Sequence, residues 1–562
     1  MQAMLKGLDD YIEQDILELR SKFSRSLDII ENVLMKGMQE VGDSFAAGKM
    51  FLPQVIRSAR VMKKAVTVLE PFIEQEKTND AEVDNKRKKI LLATVKGDVH
   101  DIGKNIVAVI LACNGYQIVD LGVMVPTEVI IETAIKEEVD IIGLSGLISP
   151  SLDEMITTAR EMEKQGLRIP LLIGGAAASL AFTGLRISPE YSGPVVYVKD
   201  ASGSVETAQA LFSDMDRPYF LEKVEKSYRA AAARHSVIQS HITVIPIEQA
   251  RENKIPMSAY IPVEPHVKGI IEFQDYPLEQ VIYYIDWDNF LYSWDLGKKG
   301  SLADNSQREK MDSSKAELLS DAQKLLDRIK RDKLLTLKGV IGFFPAYAQN
   351  EDIIVLDTDK QERFCFLRNQ QKKPIGGANS CLADFVCPDA ATGATTGWIG
   401  FFALSAGFGL KEAEPVYTAS NDVYSSILLG TLANSLAEAF SEEMHLRVRR
   451  EFWAYNPQEN LSVKNILKGG YTGIRPAFGY PACPDHQDKK IVFRLLEASE
   501  RIGLEITDSA MIIPAASVCG MYLAHPASYY FSTGVIGEDQ LNDWALRKGI
   551  GREEALKRMG RI

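Results

Sequence analysis

Cysteine is sparse in this chain of 562 residues: Cys113, Cys365, Cys381, Cys387, Cys483 and Cys519 are scattered, and none has the paired spacing of a zinc site or a disulfide framework. Positive charge is also short. Lys and Arg number 64 against 76 Asp and Glu, a net charge of −12, so neither nucleic acid nor an anionic membrane is expected as the main partner. No stretch approaches the roughly 20 apolar residues of a membrane span, and the amino terminus carries no charged-then-apolar export signal. A cytoplasmic protein with reduced thiols is the expectation. The length leaves room for about three domains, each with an ample core.

The first eighty or so residues read as helices only. Leu27, Ile30, Val33, Leu34, Met38 and Val41 recur at helical spacing, as do Val55, Ser58, Ala59, Met62, Ala65 and Val66. The segment from Gly42 to Gly48 is expected to break the pattern, and Pro53 to sit at a helix start. From about Lys86 to Met215 strands and helices alternate, with continuous apolar strands at 88–95, 116–123, 140–147, 170–176 and 195–198. Runs without alternation are covered on both faces, so the sheet is expected to be parallel and doubly wound, Rossmann-like or flavodoxin-like. A charged, Ala-rich stretch near 217–240 reads as a helical linker, and the remainder as an α+β region. The expected division is a helical cap at 1–85, a sheet domain at 86–215, a linker at 216–244 and a last domain at 245–562.

Chemistry concentrates between the first strand and the following helix, in Lys96-Gly97-Asp98-Val99-His100-Asp101-Ile102-Gly103. In an open α/β sheet that loop lies at the carboxyl edge, where ligands sit. Asp98 is placed to take the proton of one imidazole nitrogen of His100 and leave the other free for a metal. Two later strands end in small residues, Ser145-Gly146 and Gly174-Gly175. Small residues at successive strand ends leave a slot for a long nucleotide tail. A purely structural explanation accounts for the apolar runs, but not for three Gly-bearing ends on one edge.

The Asp-x-His-x-x-Gly string resembles that of corrinoid proteins whose cobalt takes a protein histidine as lower ligand. The likeness extends through Gly48-Lys49-Met50-Phe51-Leu52-Pro53, Asp120-Leu121-Gly122-Val123, Leu144-Ser145-Gly146-Leu147-Ile148-Ser149-Pro150-Ser151, Asn379-Ser380-Cys381-Leu382-Ala383-Asp384 and Gly473-Ile474-Arg475-Pro476-Ala477-Phe478-Gly479-Tyr480-Pro481. These segments resemble the carboxyl-terminal half of cobalamin-dependent methionine synthases: cap, cobalamin domain and reactivation domain. The family's amino-terminal homocysteine and methyltetrahydrofolate barrels have no counterpart here, and zinc is expected only with the absent homocysteine barrel.

The resemblance implies a methyltransferase that carries a methyl group on cobalamin (methylcobalamin) from methyltetrahydrofolate to homocysteine. It also implies remethylation of the cobalt by S-adenosylmethionine after oxidation, with a flavodoxin or other flavoprotein as electron donor. The barrels would act in cis in a longer chain or in trans. His100 would be the axial cobalt ligand, with Asp98 behind it and Ser151 extending the hydrogen-bonded chain; Ser151 reads equally as a helix cap before Leu152-Asp153-Glu154. Gly97, Val99, Asp101, Gly103, Ser145, Leu147, Ser149, Gly174 and Gly175 would contact the corrinoid. Phe45, Leu52 and Val55 match cap residues that shield the methyl-bearing face, and read otherwise as bundle core.

In the last domain Arg475, held extended by Pro476, would clamp the carboxylate of S-adenosylmethionine. Ala477, Tyr480 and Tyr530 would contact the same ligand, with Glu438 near its sulfonium and Asp286 at its amino group. Glu438 also reads as an exposed helix charge, Asp286 as a helix cap and Tyr530 as a core aromatic. The chain departs from the family at Ala177-Ala178, where a pair of threonines is usual, and at Phe182, where histidine is common. The cap and the last domain would compete for one face of the corrin, so the domains must rearrange. The alternative reading is a stand-alone corrinoid carrier and activator serving a separate methyltransferase.

Overall fold

The computed structural model describes residues 1–76, 88–240, 242–256, 261–297, 305–357, 360–388 and 397–559. The boundary expected at 85/86 lies outside them.

The amino-terminal helices include α1 (Gln2–Lys6), α2 (Ile12–Arg20), α3 (Met35–Ala46) and α4 (Leu52–Glu76). Pro53 falls in the first turn of α4, where its missing N–H is no loss. Ile30, Leu34, Met38, Val41, Val55 and Ala65 are buried as their spacing anticipates. The break expected over Gly42 to Gly48 comes only at its end. Helix α3 runs through Gly42 to Ala46, and the chain turns only over Ala47–Phe51. The reason is packing: Gly42 lies against the Asn114 side chain, where a Cβ would meet Oδ1 at 2.7 Å.

The second unit is a five-stranded parallel sheet in the order β2-β1-β3-β4-β5: β1 (Lys89–Thr94), β2 (Gln117–Asp120), β3 (Ile141–Ser145), β4 (Leu171–Gly174) and β5 (Val195–Tyr197). This is the flavodoxin-like order, whose switch point lies between β1 and β3. Helices α5 (Ile102–Cys113), α6 (Thr127–Lys136), α7 (Ser149–Lys164) and α8 (Ala201–Phe212) connect or follow the strands. The central strands are buried along nearly their whole length, whereas β2 is an edge strand open at both ends. The linker stretch is a helix, α9 (Arg217–Ser240), and it is anchored: Tyr228 donates to the Val195 carbonyl at 3.0 Å and accepts from the Tyr197 N–H at 3.0 Å, closing the free edge of β5.

The last unit is an antiparallel sheet, β13-β10-β7-β8-β9, with β6 also paired to β7. The strands are β6 (Gly269–Phe273), β7 (Thr336–Gln349), β8 (Asp352–Leu356), β9 (Gln361–Cys365), β10 (Gly397–Phe408) and, after a two-residue hairpin of β11 (Glu505–Ile506) and β12 (Ile512–Ile513), β13 (Ser517–Tyr522). Its helices include α10 (Trp287–Ser293), α11 (Asn305–Asp332), α12 (Leu410–Ala419), α13 (Val423–Arg447), α14 (Lys489–Leu496), α15 (Glu538–Lys548) and α16 (Arg552–Arg558). Alternate residues of β10 enter different cores. Phe402 and Leu404 join the one that includes Leu432, Leu436 and Phe440 of α13, while Phe401 and Ala403 join the one that includes Val492 and Leu496 of α14. Burial on both faces explains why this strand is an unbroken apolar run.

Candidate functional site

His100 stands on the loop between β1 and α5, at the carboxyl edge of the sheet. Thr94, fully buried at the end of β1, donates from Oγ1 to the His100 carbonyl at 3.1 Å. The His100 N–H and Nδ1 both meet Asp98 Oδ1, at 3.1 and 2.7 Å. The other carboxylate oxygen accepts from the Leu147 N–H at 2.6 Å and from Ser151 Oγ at 2.7 Å. Four donors therefore converge on one buried carboxylate. Because an ionised carboxylate only accepts, Nδ1 carries a proton here, which makes Nε2 the nitrogen left for a metal. Burial alone would raise the Asp98 pKa. The hydrogen bonds from His100 and Ser151, the charge of His100 and the Leu147 amide outweigh it and hold the group at about 2. Ser151 lies inside the first turn of α7, whose N-cap is Ile148, so its hydroxyl serves Asp98 and not the helix end.

Around this loop, Gly97 is buried, and Val99 and Asp101 are half-buried; Gly103, exposed, is the second residue of α5. Asp101 accepts from Asn105 Nδ2 at 3.0 Å, and buried Lys104 is paired with Asp120 at the end of β2. Ser145 and Ser149 are half-buried, and the Leu147 side chain is exposed. Gly175 is exposed with φ +101°, and a Cβ there would lie 2.0 Å from the Gly146 carbonyl oxygen. Its first demand is thus close approach of two strand-end loops; half-buried Gly174 has ordinary space around it. Ala178 and Phe182 are buried in the core of the sheet domain, and Ala177 packs against it. Leu52 and Val55 lie inside the core of the bundle, with Phe45 half-buried against it.

The cap packs along the side of the sheet domain. Its α3 and α4 meet α5, and Gly42 and Met35 touch Asn114 and Gly115, at the end of α5 far from His100. The carboxyl edge is met instead by the last unit. Ser509 Oγ lies where a Cβ on Gly97 would sit, Gly430 of α13 rests against Ile102, and His486 lies close enough for its imidazole to feel the charges of Asp98 and His100. Burial and the neighbouring Lys489 hold the His486 pKa down at about 3. A cleft of about 660 Å³ opens beside the loop, lined by Asp101, Ile102 and Asn105 on one side and by Lys411, Glu414 and Ser426 among others on the opposite side. Desolvation, and secondarily the Asp101 carboxylate, push the Glu414 pKa up to about 7.

A second site lies along α13. Gly430, Asn434, Glu438 and Glu442 follow at intervals of four along this helix, so the rise along its axis from the Ile102 contact to Glu442 is about 18 Å. At its far end Glu442 is paired with the guanidinium of Arg475. The segment carrying Arg475 is pinned by bridges from Ile474 to Leu523 and from Ala477 to Gly520, which bear out the extended conformation expected beside Pro476. The Arg475 N–H donates to the Tyr530 hydroxyl at 3.1 Å, which lies 3.4 Å from that of Tyr471. Tyr480 and Tyr530 are exposed, so Tyr530 is not a core aromatic. Glu438 is open to solvent yet crowded by protein, and desolvation raises its pKa against the opposing charge of Arg475. Asp286 is elsewhere: it caps α10, accepting from Asp288 and Asn289 N–H groups at 3.1 and 3.0 Å, and among the described residues no hydrogen bond or ion pair links it to this recess.

Residues 277–549 match the family model described as vitamin B12 dependent methionine synthase, activation domain, and residues 1–70 and 88–188 match two B12 binding domain models. A crystal structure of the MetH reactivation domain bound to AdoHcy is 37% identical over 56% of this chain and 97% of that chain, with a TM-score of 0.52. The chain belongs to the cobalamin-dependent methionine synthase family. Weaker likenesses are to the methanol:cobalamin methyltransferase complex MtaBC from Methanosarcina barkeri, at 26% identity over 37% of this chain and 76% of that one with a TM-score of 0.33, and to a cobalamin-binding protein from Desulfitobacterium hafniense DCB-2, at 27% identity over 38% and 96% with a TM-score of 0.29.

The donor set fits the cobalamin of this family. Nδ1 of His100 is held by a carboxylate, and the ring, 30% exposed, offers Nε2 at a sheet edge. Sequence reasoning missed Thr94, Lys104, His486, Glu414 and Glu442. Thr94 and Lys104 lie beside the motif and carried a signal in their positions. The other three reach it only through tertiary structure, because nothing in their local sequence marks them as facing the loop or Arg475.

Proposed function

We propose that this chain is the cobalamin-carrying and reactivating half of a methionine synthase, a cytoplasmic protein with a cap at 1–85, a cobalamin domain at 86–215, a linker at 216–244 and a reactivation domain at 245–562. Cobalamin, when bound, supplies a cobalt that accepts and gives up a methyl group. His100 would hold the cobalt through Nε2. Asp98 fixes the tautomer and orientation of the ring, and Ser151 and the Leu147 amide fix Asp98. The corrinoid would be bordered by Gly97, Val99, Asp101, Gly103, Ser145, Leu147, Ser149, Gly174 and Gly175.

S-adenosylmethionine is the methyl donor of the recess: Arg475 clamps its carboxylate, Tyr530 orients the Arg475 backbone, Glu438 faces the sulfonium end, and Ala477 and Tyr480 line the wall. Asp286 would serve its amino group only after exchanging its cap bonds. Homocysteine and methyltetrahydrofolate are handled by further domains, in cis or in trans, and the electron donor is a flavodoxin or another flavoprotein. Phe45, Leu52 and Val55 belong to the arrangement in which the cap, and not the reactivation domain, covers the carboxyl edge.

The observation that carries this reading is the single helix α13, which runs from a contact with Ile102, two residues past His100, to the partner of Arg475. The test is ultraviolet-visible spectroscopy of the protein loaded with methylcobalamin, together with calorimetric titration of S-adenosylhomocysteine. A spectrum with protein nitrogen on cobalt that is lost in His100→Gly, and saturable nucleoside binding lost in Arg475→Ala, are expected. An unaltered spectrum in His100→Gly overturns the ligand assignment.

A further inference from the structure

Two elements meet at Arg475. Arg475 lies on a segment bridged on both sides to the β13 region, and Glu442 lies on α13 between Ser441 and Glu443, both buried, with Glu443 accepting from the Tyr276 hydroxyl at 2.7 Å. Both side chains are largely enclosed, at 16% and 13% exposure. Their pairing is incomplete. Glu442 engages one terminal nitrogen of Arg475 through Oε1, while Arg475 Nε and Glu442 Oε2 are both buried and have no hydrogen-bond partner among the described residues. A carboxylate that took Arg475 through two nitrogens would make the forked contact for which a guanidinium is shaped. Glu442 therefore leaves one arm of the fork unused, and that arm is shut away from water.

We propose that Glu442 is a stand-in carboxylate, a latch that pairs with the guanidinium of Arg475 and is displaced by the carboxylate at the amino-acid end of the methyl donor. The inference rests on the reading of the recess as an S-adenosylmethionine site and adds to it a specificity device. A ligand with a free carboxylate exchanges a one-point contact for a two-point one and satisfies the idle Nε. A nucleoside thioether without a carboxylate cannot make the exchange, so the pair stays closed and contributes nothing to its binding. The latch also keeps a buried cation from standing unpaired when the recess is empty, which would leave its full desolvation penalty uncompensated.

The experiment compares two probes, S-adenosylhomocysteine and 5′-methylthioadenosine, by calorimetry on the full chain and on Glu442→Gln. Removing the competing charge should lower the Kd for S-adenosylhomocysteine by about tenfold, the scale of one charge-assisted contact, and leave that for 5′-methylthioadenosine within about twofold. Glu442→Asp, which keeps the charge on a shorter arm, should give an intermediate shift, and it supplies the comparison should Glu442→Gln melt early. Weaker or unchanged binding of S-adenosylhomocysteine in both variants overturns the latch and makes Glu442 a ligand contact or a bystander. Equal tightening for both probes also overturns it, because the carboxylate would then be irrelevant. Wild-type protein that binds neither probe overturns the donor reading of the recess itself, and the variants are not needed to see that.

Discussion

The loop around His100 and the recess around Arg475 are both built on buried charge, and they resolve it in opposite ways. Asp98 has four hydrogen-bond donors on its two oxygens, all from residues of its own domain. Arg475 is held by one oxygen of Glu442 and keeps a buried nitrogen without a partner among the described residues. A complete network suits a tether that stays in place through every turnover, since any gap would let the imidazole swing. An incomplete one suits a site whose ligand comes and goes, because the ligand must have something left to satisfy. The contrast extends to position: the first site is assembled within one sheet, the second between a helix and a strand segment of the last domain.

The sharpest way to break the comparison is to remove the tether. His100→Gly should convert the methylcobalamin spectrum to the form without a protein nitrogen on cobalt while retaining bound corrinoid through the rest of the edge. Next in size, Arg475→Ala should weaken S-adenosylhomocysteine binding by about 2 to 4 kcal/mol, since the ligand carboxylate loses its forked partner; calorimetry measures this, and the methylcobalamin spectrum should not change.

Asp98→Asn should reduce corrinoid affinity by about 10- to 100-fold, because one oxygen with two donors becomes an amide that donates. The same substitution has a signature in stability. The folded pKa of about 2 lies below the ordinary 3.8, so the contribution of Asp98 is fully present above pH 3.8 and is lost as pH falls toward 2. Melting curves of the variant should lack that step.

The docking seam offers a smaller effect. Desolvation by burial, and secondarily the Asp101 carboxylate, raise the Glu414 pKa from its ordinary 4.5 to about 7, so an undocking that exposes this group should release a proton between those values. Docking should be strongest near pH 4.5 and weaken as pH rises through 7, and Glu414→Gln should lose that dependence; small-angle scattering of the apoprotein from pH 5 to 8 reports the docked fraction. Smallest of all, Tyr530→Phe removes the acceptor of one N–H bond at Arg475 and should change S-adenosylhomocysteine binding only a few-fold, about 1 kcal/mol.

Much of the sheet domain was legible beforehand because its strands are continuous apolar runs between Gly-bearing ends, and all five occur within the expected ranges, each shorter by up to four residues at its ends. The last domain was legible only as a class. Its long strands β7 and β10 are buried on two faces by helices more than fifteen residues away in sequence, so no local period separates them from buried helix. The linker at 217–240 was recognisable as a helix from its charge and alanine, but Tyr228, which ties it to β5, is one tyrosine in a charged stretch with no pattern around it. Gly42 misled for the opposite reason: a glycine that reads as a helix breaker is there to let Asn114 approach.

The sequence by itself determined the chemistry of the first site, since Asp98, His100 and the loop that carries them are contiguous, and a loop after a parallel strand has one place to go. It also determined the extended setting of Arg475, because the following proline restricts the backbone locally. Tertiary structure alone decided that Ser151 serves Asp98 and not its own helix, that the reactivation domain and not the cap meets the carboxyl edge, that Asp286 is spent on a helix end, and that Glu442 answers Arg475. Each of these depends on which of several chemically adequate partners arrives within hydrogen-bonding distance. Packing between distant elements settles that choice, and no spacing along the chain encodes it.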